Sequence, residues 1–443
     1  MTKKASRSLS IFWVITTVVL AVAAGLAGAK WMYQYSLQAA ARPTVIWISI
    51  DGMRGDYVQR GEFPFFARLR REAATTSQLR PVFPSITFPS HCSEATGVTV
   101  EKHGITANAF YDTATKTQYS YPSDSALLQA EPIWLTAQRQ GVRTVVFDWP
   151  LSFAQKGPVR TEIFDQAYDG NLSDEQRLNR LLEAWSASLA KADPVPLNLL
   201  MGYVVATDKP GHNNGPDSPQ ILQAMITLDA QLAKFSDRAV ELWKRQRKSP
   251  GDRLFFVFST DHGMSTVHTL VSLPRVLNVA RRDPEIRLST TGNVGHVFLD
   301  ETKFPRGGEA REAKLREMRD TMVAAGPGFQ AYRREDMPPT WGYAHPTRCG
   351  DLIIILPRGY TFGWAESAAA IAEVRPDSTD VHGMHGYDPA TNPEMMGFFA
   401  VWEFGKTKPK DLGAIAWDQL HPTVARLLGV KPSPAATGTP LAF

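Results

Sequence analysis

Four stretches of this chain run apolar without interruption and then turn abruptly polar: TVIWISIDGM (44–53), GVRTVVFDWP (141–150), LNLLMGYVVATD (197–208) and RLFFVFSTDHGM (253–264). An apolar run with no polar alternation is the pattern of a strand buried on both faces. Between these runs, SDEQRLNRLLEAWSASLAK (173–191) and SPQILQAMITLDAQLAKFSDRAVELWKRQRK (218–248) carry apolar residues at helical spacing, and HCSEATGV (91–98) reads as a further helix. Buried strands alternating with helices predict an α/β fold, a mainly parallel central sheet with helices on both faces. Ligands of such sheets sit beyond the C-terminal ends of the strands, so the polar tails of the four runs should converge on one rim.

From about Asn293 to Thr379 the pattern changes. GHVFLDE and CGDLIIILPRGYTF read as strands, and GGEAREAKLREMRDTMVAA as a charged helix. This predicts a small α+β lobe inserted before the chain returns to the main sheet. The C-terminal AIAWDQLHPTVARLLGVKPSP reads as a packing helix closed by Gly429 and Pro432.

The N-terminus has a different character. After Lys3, Lys4 and Arg7, the segment from Ser10 to Ala29 contains no charged residue. A helix of that length spans about 30 Å, the thickness of a bilayer core. Basic residues ahead of it favour a cytoplasmic N-terminus and an exported remainder. The expected organisation is a cytoplasmic N-terminus over 1–9, a transmembrane signal anchor over 10–32, a spacer over 33–42 and a catalytic domain over 43–443. Small residues around Ala27 to Ala29 leave open the alternative of a cleaved signal peptide and a secreted protein. An anchor with the domain on the periplasmic or extracellular side is the preferred reading, because the run is long for a signal-peptide core.

Composition adds little beyond this. The 443 residues, 43% of them hydrophobic, suffice for a large core, and the net charge is only +4 with no basic block of the kind that marks a nucleic-acid surface. Cys92 and Cys349 sit in no metal-ligand spacing and read as two separate buried thiols.

The strand ends carry the chemistry. Asp51 closes the first run, Asp208 the third, with His212 four residues on; Asp261 and His262 close the fourth, and His382 and His385 follow late in the chain. Each has an ordinary reading as a turn or cap. Together, three carboxylates and three imidazoles (Asp51, Asp208, His212, Asp261, His262 and His385) form the donor set that two divalent ions of the zinc type require. Such a pair clamps the attacking and leaving oxygens of a phosphoryl group. Thr87, in PSITFPSH after the strand-like LRPVF, stands where a helix begins, and a helix N-terminus favours an anion.

The landmarks SIDGMRGDY, FPSITFPSHCSEATGVTVEKHGI, NAFYD, FDWP, TDKPGHNNGP, STDHGM, YAHPTRCGDLII and HGMHGYDP occur in the order seen in the nucleotide pyrophosphatase/phosphodiesterases, the type I phosphodiesterase group of the alkaline phosphatase superfamily. The chain resembles that family from about Val45 to its C-terminus. The resemblance implies two zinc ions, one held by Asp208, His212 and His385 and the other by Asp51, Asp261 and His262. It implies that Thr87 is the nucleophile of a covalent phosphothreonine intermediate and that Asn108 donates to a phosphate oxygen. Phe88 and Tyr203, with Tyr168 on a looser match, correspond to aromatic residues that hold a nucleotide base. The chain departs from the family at Ser90, where many members carry Asn, and at Ala206-Thr207, where Glu-Pro is expected. Both bear on substrate preference more than on metal binding. The expected activity is hydrolysis of phosphodiester or pyrophosphate bonds in a small-molecule substrate, a nucleotide foremost. The alternatives are a phosphomonoesterase or phosphonate hydrolase on the same two-metal site, a lysophospholipid or choline-headgroup phosphodiesterase, and an inactive membrane-tethered binding protein.

Overall fold

The run PTVIWISI forms strand β1 (Pro43–Ile50), buried at every position after the first. The computed structural model describes residues 16–30, 43–191, 195–247, 249–280, 282–363, 369–375 and 379–443. β1 lies at the centre of a nine-stranded sheet among the described residues. Its other strands include β2 (Ala74–Arg80), β3 (Arg143–Val146), the two-residue β4 (Ile163–Phe164), β5 (Leu197–Val204), β6 (Arg253–Thr260) and β7 (Gly397–Glu403). The order across the sheet is β2, β7, β6, β1, β5, β3, β4, with the short strands Lys410–Asp411 and Ile415–Ala416 both pairing with β2.

Alternation along β1 divides the core. Ile46, Ile48 and Ile50 share one cluster with Phe65 and Phe66 of α1 (Pro64–Glu72), while Val45 and Trp47 share another with Trp134, Leu420 and Val424. Successive strand side chains point to opposite faces, so an unbroken apolar strand needs a helical layer on each side. Helix α2 (Thr87–Thr96) is buried along its whole length. On the first face lie α3 (Asp174–Ala190) and α5 (Pro219–Gln246), with the short α4 (Asp208–Asn214) between them in the chain. On the second lies α6 (Leu420–Leu428), closed by Gly429 in the left-handed conformation.

The sheet is mixed, where the apolar runs predict a mainly parallel one. β1, β3, β4, β5 and β6 are parallel, but β7 lies antiparallel to both β6 and β2. The reason is where the chain re-enters. Phe399 pairs with Ser259 and Glu403 with Phe255, so β7 starts beside the C-terminal end of β6 and runs back down it. A strand that returns from the rim without a crossover has only the antiparallel option.

Between β6 and β7 a four-stranded antiparallel sheet packs against the helix Glu309–Ala325. It begins with Ile286–Thr291, earlier than the expected Asn293, and continues through Val294–Leu299, Leu352–Ile355 and Gln330–Arg333. Thr269–Val271, Tyr360–Phe362 and Ile371–Glu373 form a separate small sheet that ties this lobe to the segment following β6. Cys92 and Cys349 are both buried free thiols, as expected.

The expected membrane span, 10–32, lies partly outside the described residues. Within it, residues 16–30 are helical and expose Val18, Val19, Leu20, Val22 and Leu26. Among the described residues no helix is long and apolar enough to cross a membrane.

A buried carboxylate fixes one helix that walls the sheet. Asp229 of α5 accepts hydrogen bonds from the backbone N–H groups of Phe65 (3.1 Å) and Phe66 (2.9 Å), at the start of α1. No side chain of α1's own caps that end. Asp229→Ala should therefore destabilise the domain by about 2 kcal/mol. The expected readout is a lower urea midpoint with an unchanged denaturant slope; an unchanged midpoint would show that α1 is held by packing alone.

Candidate functional site

Five of the six expected metal-donor side chains follow three neighbouring parallel strands. Asp51 follows β1, Asp208 and His212 follow β5, and Asp261 and His262 follow β6. The register places these ends together: Ile50 pairs with both Val204 and Thr260. Asp208 opens α4, and His212, four residues on, lies on the same helix face, with Nε2 3.3 Å from Asp208 Oδ1. Gly52 lets the loops approach: a Cβ there would lie 2.7 Å from Asp208 Cα, and its φ is +65°.

His385 arrives from beyond the lobe. Gly383–Met384 pairs antiparallel with Ser265–Thr266, directly after the Asp261-His262 turn. A Cβ on Gly383 would lie 2.3 Å from the Gly211 carbonyl oxygen, so this strand passes against α4 without room for a side chain. His385 Nε2 then stands 3.7 Å from Asp208 Oδ1, and its ring stacks on His262 with centroids 3.6 Å apart.

Each histidine is held the same way. His212 Nδ1 is 2.7 Å from the Gly383 carbonyl, His262 Nδ1 2.9 Å from that of Gly263, and His385 Nδ1 2.9 Å from that of Ser85. A carbonyl only accepts, so each Nδ1 carries a proton and each Nε2 is the nitrogen turned inward. This backbone support is how proteins orient metal-binding imidazoles. His262 Nε2 lies 3.3 Å from Asp51 Oδ1 and 3.1 Å from Asp261 Oδ2. Candidate ligand atoms within 4.8 Å of one another fall into two groups, Asp51-Asp261-His262 and Asp208-His262-His385. His262 thus stands between the two, and His212 joins the second through Asp208.

The electrostatics of the donor set fit a cation. Asp51 Oδ1, Asp208 Oδ1 and Asp261 Oδ2 are buried without a hydrogen-bond partner. Burial, then the Asp261 and Asp208 charges, push the Asp51 carboxyl well above the ordinary carboxylate range, and burial does the same to Asp261. Asp208 is partly buried, yet His212 and His385 hold it low. Burial alone would lower His212; the Asp208 carboxylate raises it to about 9. Burial lowers His385 to about 4 and His262 well below its ordinary value. The two raised carboxyls ionise together with Asp208 only when further positive charge enters among them.

Thr87 is the first residue of α2, and its Oγ1 lies 3.3 Å from His262 Nε2. Its neighbourhood is fixed from the His385 side, since Ser85 Oγ donates to the Tyr387 carbonyl at 2.8 Å. Asn108 Oδ1 accepts the Phe88 N–H at 2.9 Å, which leaves Nδ2 as the amide's donor. Ile86, Asn108, His212 and His385 line one end of a cavity of about 1250 Å³ that extends over the lobe to Arg287 and Thr291.

The three aromatic candidates separate. Phe88 is buried in a small cluster with Cys92, Ile105 and Phe110, edge-on to Tyr121. Tyr203 is buried and its hydroxyl donates to Asp51 Oδ2, so it braces a candidate ligand rather than standing as an open plate. Tyr168 is 42% exposed and lies edgewise to Tyr203, with centroids 6.4 Å apart.

Some contributors carry no signal in a single sequence. His91, which matches no ligand position, places Nδ1 2.8 Å from the Thr87 carbonyl and 3.4 Å from Asp261 Oδ2. Asp174, at the start of α3, accepts the N–H groups of Val205 (2.8 Å) and Ala206 (2.9 Å). It thereby holds the turn before Asp208 where the family's Glu-Pro is replaced, and Ala206 there has a φ of +40°. Thr207 Oγ1 donates to the Asp51 carbonyl at 3.1 Å.

A donor set whose acids ionise together only around a cation predicts strong stabilisation by one. Zinc at a hundredfold excess over its Kd should add about 2.7 kcal/mol of stability. A chelator should lower Tm correspondingly, and His212→Ala should shrink the zinc-dependent part of the shift. A Tm indifferent to both zinc and chelator would refute the metal-centre reading.

Comparison with known proteins places this arrangement in context. A family model described as type I phosphodiesterase/nucleotide pyrophosphatase matches residues 45–388. Bis(5'-adenosyl)-triphosphatase ENPP4 of Bos taurus is 27% identical over 406 residues, 89% of this chain and 80% of its own. Ectonucleotide pyrophosphatase/phosphodiesterase family member 7 of Homo sapiens is 26% identical over 400 residues, covering 88% and 80%. Among solved structures, murine ectonucleotide pyrophosphatase/phosphodiesterase 5, as an inactive threonine-to-alanine variant in complex with AMP, is similar in fold. Its TM-score is 0.74 at 24% identity, over 90% of this chain and 98% of that one. The human counterpart gives 0.72 at 25% identity, over 90% and 97%.

Proposed function

The chain belongs to the type I phosphodiesterase/nucleotide pyrophosphatase family, and on that premise we propose that it is a two-zinc hydrolase of nucleotide phosphodiester or pyrophosphate bonds with Thr87 as its nucleophile. The observation that carries the reading is the convergence on Thr87. Its hydroxyl lies 3.3 Å from His262 Nε2, at the edge of a pocket where three buried carboxylate oxygens have no hydrogen-bond partner. Asp51, Asp261 and His262 would hold one ion, and Asp208, His212 and His385 the other. Bound zinc supplies Lewis-acid charge that lowers the pKa of a hydroxyl and neutralises charge developing on phosphoryl oxygens.

The chain's own residues do the rest. Thr87 Oγ1 attacks phosphorus in line, forming a Thr87–phosphate ester as the bond to the leaving oxygen breaks. Asn108, its Oδ1 held by the Phe88 N–H, offers Nδ2 to a non-bridging oxygen as negative charge develops there. The N-terminus of α2 adds its partial positive charge at the same place. Water then attacks the same phosphorus from the opposite side and returns Thr87 to its free hydroxyl, with a phosphate monoester as product. Two inversions leave the configuration at phosphorus retained. The AMP complex of the murine relative, an inactive threonine-to-alanine variant, supports both a nucleotide substrate and the role of a threonine.

The charge-free segment from Ser10 to Ala29 and the exposed valines and leucines between Val18 and Leu26 support a membrane anchor at the N-terminus. The catalytic domain would then begin at residue 43 and lie on the exported side.

Thr87→Ala should lower turnover of thymidine 5'-p-nitrophenyl phosphate at least about a thousandfold. Zinc content, measured by elemental analysis, should stay unchanged. Turnover within tenfold of the wild type would indicate direct attack by water and remove the covalent step.

A further inference from the structure

Asn108 stands midway along a loop, 104–112, that runs from the end of the short helix Val100–His103 through the hairpin strand Ala109–Asp112. One buried arginine of the lobe ties that loop at both ends. Arg348, in the stretch YAHPTRCGDLII between the lobe strands Gln330–Arg333 and Leu352–Ile355, is 5% exposed. Its Nη1 donates to the Gly104 and Leu127 carbonyls, both at 2.8 Å, and its Nε to Asp112 Oδ2 at 2.9 Å. The approach is close: Gly104 has a φ of +78°, and a Cβ there would lie 2.8 Å from Arg348 Nη1.

The same lobe segment adds further ties. The Arg348 carbonyl accepts the Thr106 hydroxyl at 3.2 Å, the Thr347 carbonyl accepts the Thr113 N–H at 2.9 Å, and the Tyr343 hydroxyl donates to the Thr106 carbonyl at 3.1 Å. Asn108 lies between these anchors. Its own carbonyl accepts the Tyr121 N–H at 2.7 Å, and its Oδ1 accepts the Phe88 N–H at 2.9 Å. The Phe88 bond sets which way the amide faces, and the anchors at 104, 106 and 112 set where the loop carries it. A donor to a transition-state oxygen must stand in place before the charge develops, and a displacement of about 1 Å costs on the order of a hundredfold in rate.

Building on the hydrolase reading above, we propose that Arg348 is a positioning residue: from the lobe it holds the loop 104–112 so that Asn108 Nδ2 stands ready for the phosphoryl oxygen as charge develops there. A planar fork suits this task, because Nε and Nη1 reach acceptors at the two ends of the loop at once. A lysine would keep the charge beside Asp112, but its single nitrogen cannot stand where both of those atoms stand.

Arg348→Lys separates the fork from the charge. On thymidine 5'-p-nitrophenyl phosphate its kcat should fall roughly tenfold, with KM within about twofold and zinc content unchanged. Asn108→Ala should lower kcat by about a hundredfold or more. In that background Arg348→Lys should change kcat by less than about twofold, because it acts through Asn108. Hydrogen exchange of the amides in 104–112 should quicken in Arg348→Lys, in zinc-loaded and metal-free protein alike. An unchanged kcat, a loss confined to KM, a fall in zinc content, the same loss with and without Asn108, or unchanged exchange over 104–112 would each overturn the inference. If Arg348→Lys does not fold, Asp112→Asn, which loosens one end of the loop only, carries the same cycle with a loss of about threefold. Zinc-loaded wild-type protein that does not cleave the ester would overturn the hydrolase reading and this inference with it. A fully active wild type whose turnover is indifferent to Arg348→Lys would overturn the inference alone.

Discussion

The constraint on which this structure turns is the confinement of three carboxylates, Asp51, Asp208 and Asp261, to one buried rim. Nothing in hydrophobic packing asks for it. The parallel register of β1, β5 and β6 delivers the strand ends side by side, and the first carboxylate after each strand lies in the same space. Two of the three carboxyls are driven up by burial, with the neighbouring acids adding to the rise at Asp51, while the third is held down by His212 and His385. A pocket of that composition is stable as a binding site for cations and costly as anything else.

Around this rim the fold acts as a scaffold of small constraints. Three backbone carbonyls, from Ser85, Gly263 and Gly383, fix three imidazole tautomers. Gly383 and His385 lie far along the chain from Ser85 and His212, which they contact, so the donor set closes only when the lobe has returned the chain to the rim. The antiparallel strand β7 follows from the same return. Helix α3 contributes twice from its first two turns: Asp174 holds the turn before Asp208, and Arg177 holds Tyr168. Tyr168 and the turn before Asp208 are thus both held by one helix.

How much of this was legible in the sequence follows from the range of each interaction. The buried strands announced themselves because a strand covered on both faces must be apolar throughout, and the polar tails of those runs pointed to the rim. The six candidate donors and Thr87 stood out through their order along the chain, and all seven lie close together in the structure. The antiparallel direction of β7 was not, since an apolar run carries no sign of its direction. Tyr203 illustrates a different limit. Its place in the motif suggested an aromatic platform, whereas the structure gives it a hydroxyl contact with Asp51, which depends on a register that no local pattern encodes. The contacts of His91 with Thr87 and Asp261, and the Asp148-Arg177 pair, are equally silent in sequence, because each joins elements that meet only in the folded sheet.

Anomalous diffraction at the zinc edge from crystals of the metal-loaded protein would show whether the rim holds two divalent ions. Two separate peaks are expected, one bounded by Asp51, Asp261 and His262 and the other by Asp208, His212 and His385. A single peak, or none, in protein that cleaves a nucleotide ester would contradict it.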